Sequence, residues 1–231
     1  LFLLMAAINE IFIGVDIYLA HNISGGIKPN EWIPIIFGVT AGFLLLLSGI
    51  IAIRQRSFAT ILANLVFISS IIIGLLGAYF HLNRTLLLDS VLSGREAITA
   101  LIWAPPIIGP MFFILISILG ISAAWVESPA DSGRLKLFGS RTIQMPYSKT
   151  RAYFFIVAIF ILATLISSIL DHARFQFDNP WVWLPVVSAL FGATTCLFLG
   201  VIEKPSPSDI MVHTVAMLLL IVVGLIGFAL H

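Results

Sequence analysis

Four of the five histidines in this chain occupy matched positions in an internal repeat, and histidine is the side chain best suited to bind a metal or relay a proton near neutral pH. His21 is followed by Trp32-Ile33-Pro34 and then Gly49. His172 is followed at the same distances by Trp183-Leu184-Pro185 and Gly200, an offset of 151 throughout. A second block, Gly74-Leu75-Leu76-Gly77-Ala78-Tyr79-Phe80-His81, returns as Gly224-Leu225-Ile226-Gly227-Phe228-Ala229-Leu230-His231 at an offset of 150. Neutral imidazole ligates haem iron, copper and zinc, and paired histidines on neighbouring helices supply two positions of such a site. His21, His81, His172 and His231 are therefore the candidate cofactor and metal ligands. The competing reading is that they are half-wetted helix ends, matched only because both repeats end their helices alike.

Two carboxylates form the second constellation. Glu10 and Asp16 interrupt an otherwise apolar segment, where an ionisable group costs on the order of 2.5 to 3.5 kcal/mol. Their counterparts in the second repeat are Ile161 and Ser167, so the halves differ here. Glu10 precedes His21 by eleven residues, which on a helix returns nearly to the same face after about 16 Å of rise. Glu10 and Asp16 are the candidate proton-path residues, with structural pairing or a subunit contact as the alternative. Asp171, next to His172, is a candidate partner for a ligating imidazole, although adjacent helical residues do not face each other. His213 aligns with Ala63, lacks a repeat partner and reads as a packed core histidine.

The elements that must position these groups follow from composition. The chain of 231 residues is 60% hydrophobic and 10% charged, with a mean hydropathy of +1.10. Such values exclude an ordinary soluble domain and imply an all-α, polytopic transmembrane bundle. Apolar stretches near 2–20, 33–53, 58–80, 107–126, 152–171, 182–202 and 210–230 predict seven helices, and no period-2 alternation suggests barrel strands. The spans form a single membrane domain over 1–231. Residues 1–126 are the first repeat plus a fourth helix, 127–150 a linker containing Pro129, Gly133, Gly139 and Pro146, and 151–231 the second repeat. Both copies begin on the same side, so the repeat is parallel, and a four-plus-four architecture with an eighth helix is a further expectation. Residues 86–102 are expected to form a short interfacial helix or an ordered loop.

Eight of the twelve basic residues lie between the second and third, fourth and fifth, or sixth and seventh helices. That bias predicts a multi-pass protein with a cytoplasmic N-terminal side and His231 at the outer face. A net charge of +1 gives no reason to expect nucleic acid. Trp32 and Trp183 stand two residues ahead of prolines, as interfacial anchors do. Cys196 is the lone cysteine, and no Cys-x-x-Cys-His motif, nucleophile elbow or phosphate loop occurs. Asn22-Ile23-Ser24 and Asn83-Arg84-Thr85 match the glycosylation acceptor pattern.

The leading expectation is a subunit of a larger membrane complex that holds haem b or copper at an outer histidine cluster and passes electrons. Its partners would be the bilayer, other membrane subunits and quinol. Two alternatives are a transporter or ion carrier that uses the helix-1 carboxylates, and a structural subunit without a cofactor.

Overall fold

The computed structural model describes residues 2–86, 94–103, 106–136 and 141–230. The chain is all-α in its membrane part. The elements are α1 (Phe2–Ile23), α2 (Trp32–Ile51), α3 (Arg56–Leu86), α4 (Gly94–Trp103), α5 (Ile108–Ala124), α6 (Lys149–Ala173), α7 (Trp183–Val201) and α8 (Pro207–Leu230). Six of them, α1, α2, α3, α6, α7 and α8, are long and apolar enough to cross a membrane. The seventh expected span, at 107–126, is the 17-residue α5, near the lower limit for crossing a bilayer. Pro106 stands just before it, and Trp125 at its end is already extended (φ −89°, ψ 134°). The expected interfacial helix at 86–102 is observed as α4. His231, Gly139 and Leu87-Leu88 lie outside the described residues.

The linker expected at 127–150 is more ordered than a loop. It carries β1 (Val126–Glu127), β2 (Arg134–Lys136) and β3 (Thr142–Gln144), a small sheet of order β1-β2-β3. Glu127 organises part of this stretch: its Oε1 accepts from Gly133 N at 2.6 Å and from Lys149 N at 3.1 Å. No alternating apolar run announces such short strands, so periodicity could not find them.

The helices fall into two compact units. The first holds α1, α2, α3 and α5; the second holds α4, α6, α7 and α8. Each is built on the same plan, which the burial pattern makes concrete. The buried positions of α2 are Ile35, Gly38, Ala41, Gly42, Leu45 and Ser48. Their counterparts at the 151 offset are Val186, Ala189, Gly192, Ala193, Cys196 and Leu199, and all six are buried in α7. Likewise Ala7 and Ala158 are both fully buried. In lipid, where hydrocarbon outside a helix is as apolar as its core, small residues decide which face meets a neighbouring helix. The duplicated pattern of small residues thus yields a duplicated packing face.

The entry to each middle helix is also duplicated. Single 3-10 turns at Pro29–Glu31 and Pro180–Val182 lead into Trp32 and Trp183. Before them, the backbone turns left-handed at the same repeat positions. Gly25 and Gly26 have φ of 118° and 99°; Gln176 and Phe177 have 53° and 56°. Glycine adopts positive φ freely, whereas an L-residue in the left-handed region costs about 1 to 2 kcal/mol. Phe177 is held there by stacking on Trp183, ring centroids 4.9 Å apart and planes 24° apart. Gln176 is exposed and has no such contact to offset the strain. Gln176→Gly should therefore stabilise the second unit by up to about 1 kcal/mol, read as a higher unfolding midpoint in detergent.

The units differ at their third helices. In the first, α5 lies across Gly74 and Gly77 of α3: a Cβ on Gly74 would meet Ile114 Cγ1 at 2.7 Å, and one on Gly77 would meet Pro110 Cβ at 2.6 Å. Gly120 of α5 in turn accommodates the Phe67 ring. Gly224 and Gly227 of α8 have nothing within 4 Å of such a Cβ among the described residues. Among the described residues, Ala216 is correspondingly the one core residue that α8 contributes.

Candidate functional site: a buried carboxyl and a histidine pair in the first unit

Glu10 sits where three helices meet. On α1 it follows Ala6 and Ala7 and precedes Gly14, and these small residues let α2 come close: a Cβ on Gly38 would lie 2.7 Å from the Glu10 carbonyl oxygen and 2.9 Å from Gly14 Cα. On the same unit's α3, Ser70 donates its hydroxyl to Glu10 Oε1 at 2.7 Å, and the Phe113 carbonyl of α5 lies 3.4 Å from that hydroxyl. Glu10 and Ser70 are both fully buried. Among the described residues the second carboxyl oxygen, Oε2, has no hydrogen-bond partner, and neither does the buried hydroxyl of Ser117, one turn along α5 from Phe113. An unsatisfied buried polar atom costs about 1 to 3 kcal/mol, so the first unit holds both groups at the expense of stability.

Asp16 does not join Glu10. It is exposed on α1, while Glu10, Gly14 and Ile17 line the buried face. The two carboxylates share a helix but, about 120° apart around it, present different sides.

At the far end of α1, His21 and His81 come together from α1 and α3 with ring centroids 6.1 Å apart. His21 Nδ1 lies 2.9 Å from the Ile17 carbonyl and His81 Nδ1 lies 3.0 Å from the Pro106 carbonyl. A carbonyl can only accept, so Nδ1 of each ring carries the hydrogen and Nε2 is the basic nitrogen of the neutral ring. Backbone carbonyls on Nδ1 also orient metal-ligating histidines in this way. Glu31 completes the cluster, with Oε1 at 3.9 Å from His21 Nε2 and Oε2 accepting from Lys28 N at 2.8 Å. Sequence reasoning missed Glu31, Ser70 and Ser117. Glu31 ends the 3-10 turn before α2 and its repeat counterpart is Val182, so the repeat does not single it out, and the serines show only as isolated hydroxyls in apolar runs.

The other two expected ligands are placed differently. His172 belongs to the second unit, half-buried, with its ring 6.4 Å from that of Phe177. Its neighbour Asp171 pairs with Arg174 at 3.5 Å rather than with a histidine, and Arg174 Nε donates to the Ile102 carbonyl of α4 at 2.7 Å. His231 lies outside the described residues. Among the described residues, no three of His, Cys, Asp and Glu converge closely enough to hold a metal ion.

His213, read as a core histidine, makes a polar contact between α7 and α8. Its Nδ1 lies 3.3 Å from Thr195 Oγ1 and 3.9 Å from Cys196 Sγ, with Phe154 edge-on at 5.2 Å. The Thr195 hydroxyl donates to the Gly192 carbonyl, so Nδ1–H of His213 is the donor of the pair. In the first unit the corresponding link between α2 and α3 is the Ser48 hydroxyl donating to the Ala59 carbonyl at 2.8 Å.

Comparison with known protein families, with curated proteins and with solved structures found no match for this chain. The class of protein that its residues define is thus a multi-pass helical membrane protein built from an internal duplication.

Proposed function

We propose that this protein is a proton-handling membrane subunit in which Glu10 takes and releases a proton within the bilayer. The His21–His81–Glu31 cluster exchanges protons with the aqueous phase at the end of the helices that charge bias assigns to the outside. The observation that carries this reading is the half-satisfied Glu10 carboxyl, fully buried among three apolar helices. Intramembrane carboxyls without a cation beside them mark proton relays and ion paths. The second repeat performs the same packing with Ile161, so the fold alone does not require an acid there. The electron or solute traffic coupled to the proton would be supplied by other subunits of a larger complex.

Glu10→Gln tests this, because an amide of nearly the same size cannot release a proton. In the full-length chain reconstituted in vesicles, infrared difference spectra between two pH values should show a carboxyl band that is missing from Glu10→Gln. Proton uptake into the vesicles should fall at least tenfold. An unchanged band and unchanged uptake would remove Glu10 from the path.

A second reading, electron transfer through haem b or copper at His21 and His81, is favoured by the backbone carbonyls that orient both rings. A reduced-minus-oxidised visible spectrum and elemental analysis of the purified protein separate the two. Haem bands or stoichiometric metal lost in a His21→Ala/His81→Ala double variant would support the redox site; a featureless, metal-free sample would leave the proton reading alone.

A further inference from the structure

We propose that the exposed face of α1 is the docking surface for a transmembrane helix of a different subunit, and that this helix carries a lysine or arginine that pairs with Asp16. Met5, Asn9, Phe12, Asp16, Leu19 and Ile23 follow one another at spacings of four and three, and all six are exposed. Residues at that alternation form one straight seam, the pattern by which two helices pack at a shallow angle. Asn9 is satisfied within its own helix, its side-chain amide donating to the Met5 carbonyl at 2.7 Å. Asp16 has no hydrogen bond or ion pair among the described residues.

Lipid can cover the apolar members of the seam but not Asp16. From Asp16 to the end of α1 at Ile23 is about 10 Å of helix rise, which leaves the carboxylate well inside a hydrocarbon layer about 30 Å thick. The exposed face of α2, by contrast, is made of Ile33, Ile36, Phe43 and Leu47, with Thr40 returning its hydroxyl to the Ile36 carbonyl, and the exposed Thr164, Thr194 and Thr214 of α6, α7 and α8 do the same within their own helices. The corresponding face of α6 has Phe160 and Ser167 in place of Asn9 and Asp16, so the acid belongs to α1 alone.

Charge complementarity then selects the occupant. Every lysine and arginine of this chain lies at the end of a span or in a connection: Arg54, Arg56, Arg84, Lys149, Arg151 and Lys204 are typical. A second copy has the same arrangement and offers no cation at the depth of Asp16. A basic residue in the middle of another subunit's helix is equally costly alone. Bringing the two together removes both penalties, which makes the pairing specific as well as favourable.

The test uses the full chain in lipid vesicles, labelled with a donor fluorophore, and acceptor-labelled polyleucine transmembrane peptides with lysine, leucine or glutamate at the central position. Energy transfer should report association of the lysine peptide at least tenfold tighter than that of the leucine or glutamate peptides. Asp16→Asn should abolish the difference, and Asp16→Glu should retain it. Circular dichroism of each variant checks that the helices persist. Equal association of all three peptides, or a lysine preference that survives Asp16→Asn, would overturn the proposal. So would donor–acceptor transfer between copies of the chain that outcompetes the lysine peptide, since it would make the seam a homotypic contact.

Discussion

Gly38→Leu is expected to unfold the first unit under conditions where the wild-type chain is stable, at a cost of about 3 kcal/mol or more. Even the first carbon of a side chain at this position would lie 2.7 Å from the Glu10 carbonyl oxygen and 2.9 Å from both Gly14 Cα and Gly14 N. These are backbone atoms of a neighbouring helix. They cannot swing aside as the end of a long side chain can, so α1 and α2 must separate along their whole length. Gly42 is nearly as confined, with Ala7 O at 2.6 Å and Ile11 beside it. Gly49 provides the control, because nothing lies within 4 Å of its would-be Cβ. Gly49→Ala should be neutral or gain up to about 1 kcal/mol from helix propensity. Thermal unfolding in detergent, followed by circular dichroism, distinguishes the two. Equal behaviour of Gly38→Leu and Gly49→Ala would mean that α1 and α2 do not approach as closely as the structure places them.

Glu10→Ile is expected to do the opposite to stability while abolishing the proton uptake proposed for this site. The substitution installs the residue that the second repeat carries at the equivalent position, Ile161. It deletes an unsatisfied buried oxygen, Oε2, and the hydrogen bond lost at Ser70 leaves that hydroxyl near the Phe113 carbonyl at 3.4 Å. Replacing a poorly satisfied polar group with an apolar one of similar reach should raise stability by about 1 to 2 kcal/mol. Proton uptake in vesicles should fall to background. A site that lowers stability while it serves function is the usual signature of a working residue. If Glu10→Ile instead destabilised the chain by several kcal/mol, the carboxyl would be a structural strut between α1 and α3.

That Gly38 and Glu10 lie on neighbouring helices was legible from composition, and that Glu10 is out of place in an apolar run was legible from a single residue. That Gly38 is confined by the backbone beneath Glu10 was not, because a glycine in a membrane helix serves equally as a packing surface, a kink or nothing. In one dimension the repeat singles out Gly49, matched by Gly200, rather than Gly38, matched by Ala189; the confinement of Gly38 shows only once α1 is laid against α2. The histidines make the same point. Counting spans led to the expectation of one shared end for four histidines; among the described residues, His21 and His81 are the pair brought within reach of each other, in the first unit. His172 turns to Phe177, and Asp171 to Arg174.

The sequence by itself determined the membrane class, the duplicated helices and their approximate ends. Hydrophobic length and repeated small residues are local properties that the bilayer reads directly. The tertiary structure alone decided which side of α1 each carboxylate takes. Glu10 and Asp16 are six residues apart on one helix, a rotation that puts them on different faces, and the small residues Ala6, Ala7 and Gly14 mark the Glu10 face without saying which helix will cover it. That choice is made by the small residues of α2 and the hydroxyls of α3, through close backbone approach and a single hydrogen bond. It buries one acid as a candidate proton site and leaves the other on the surface.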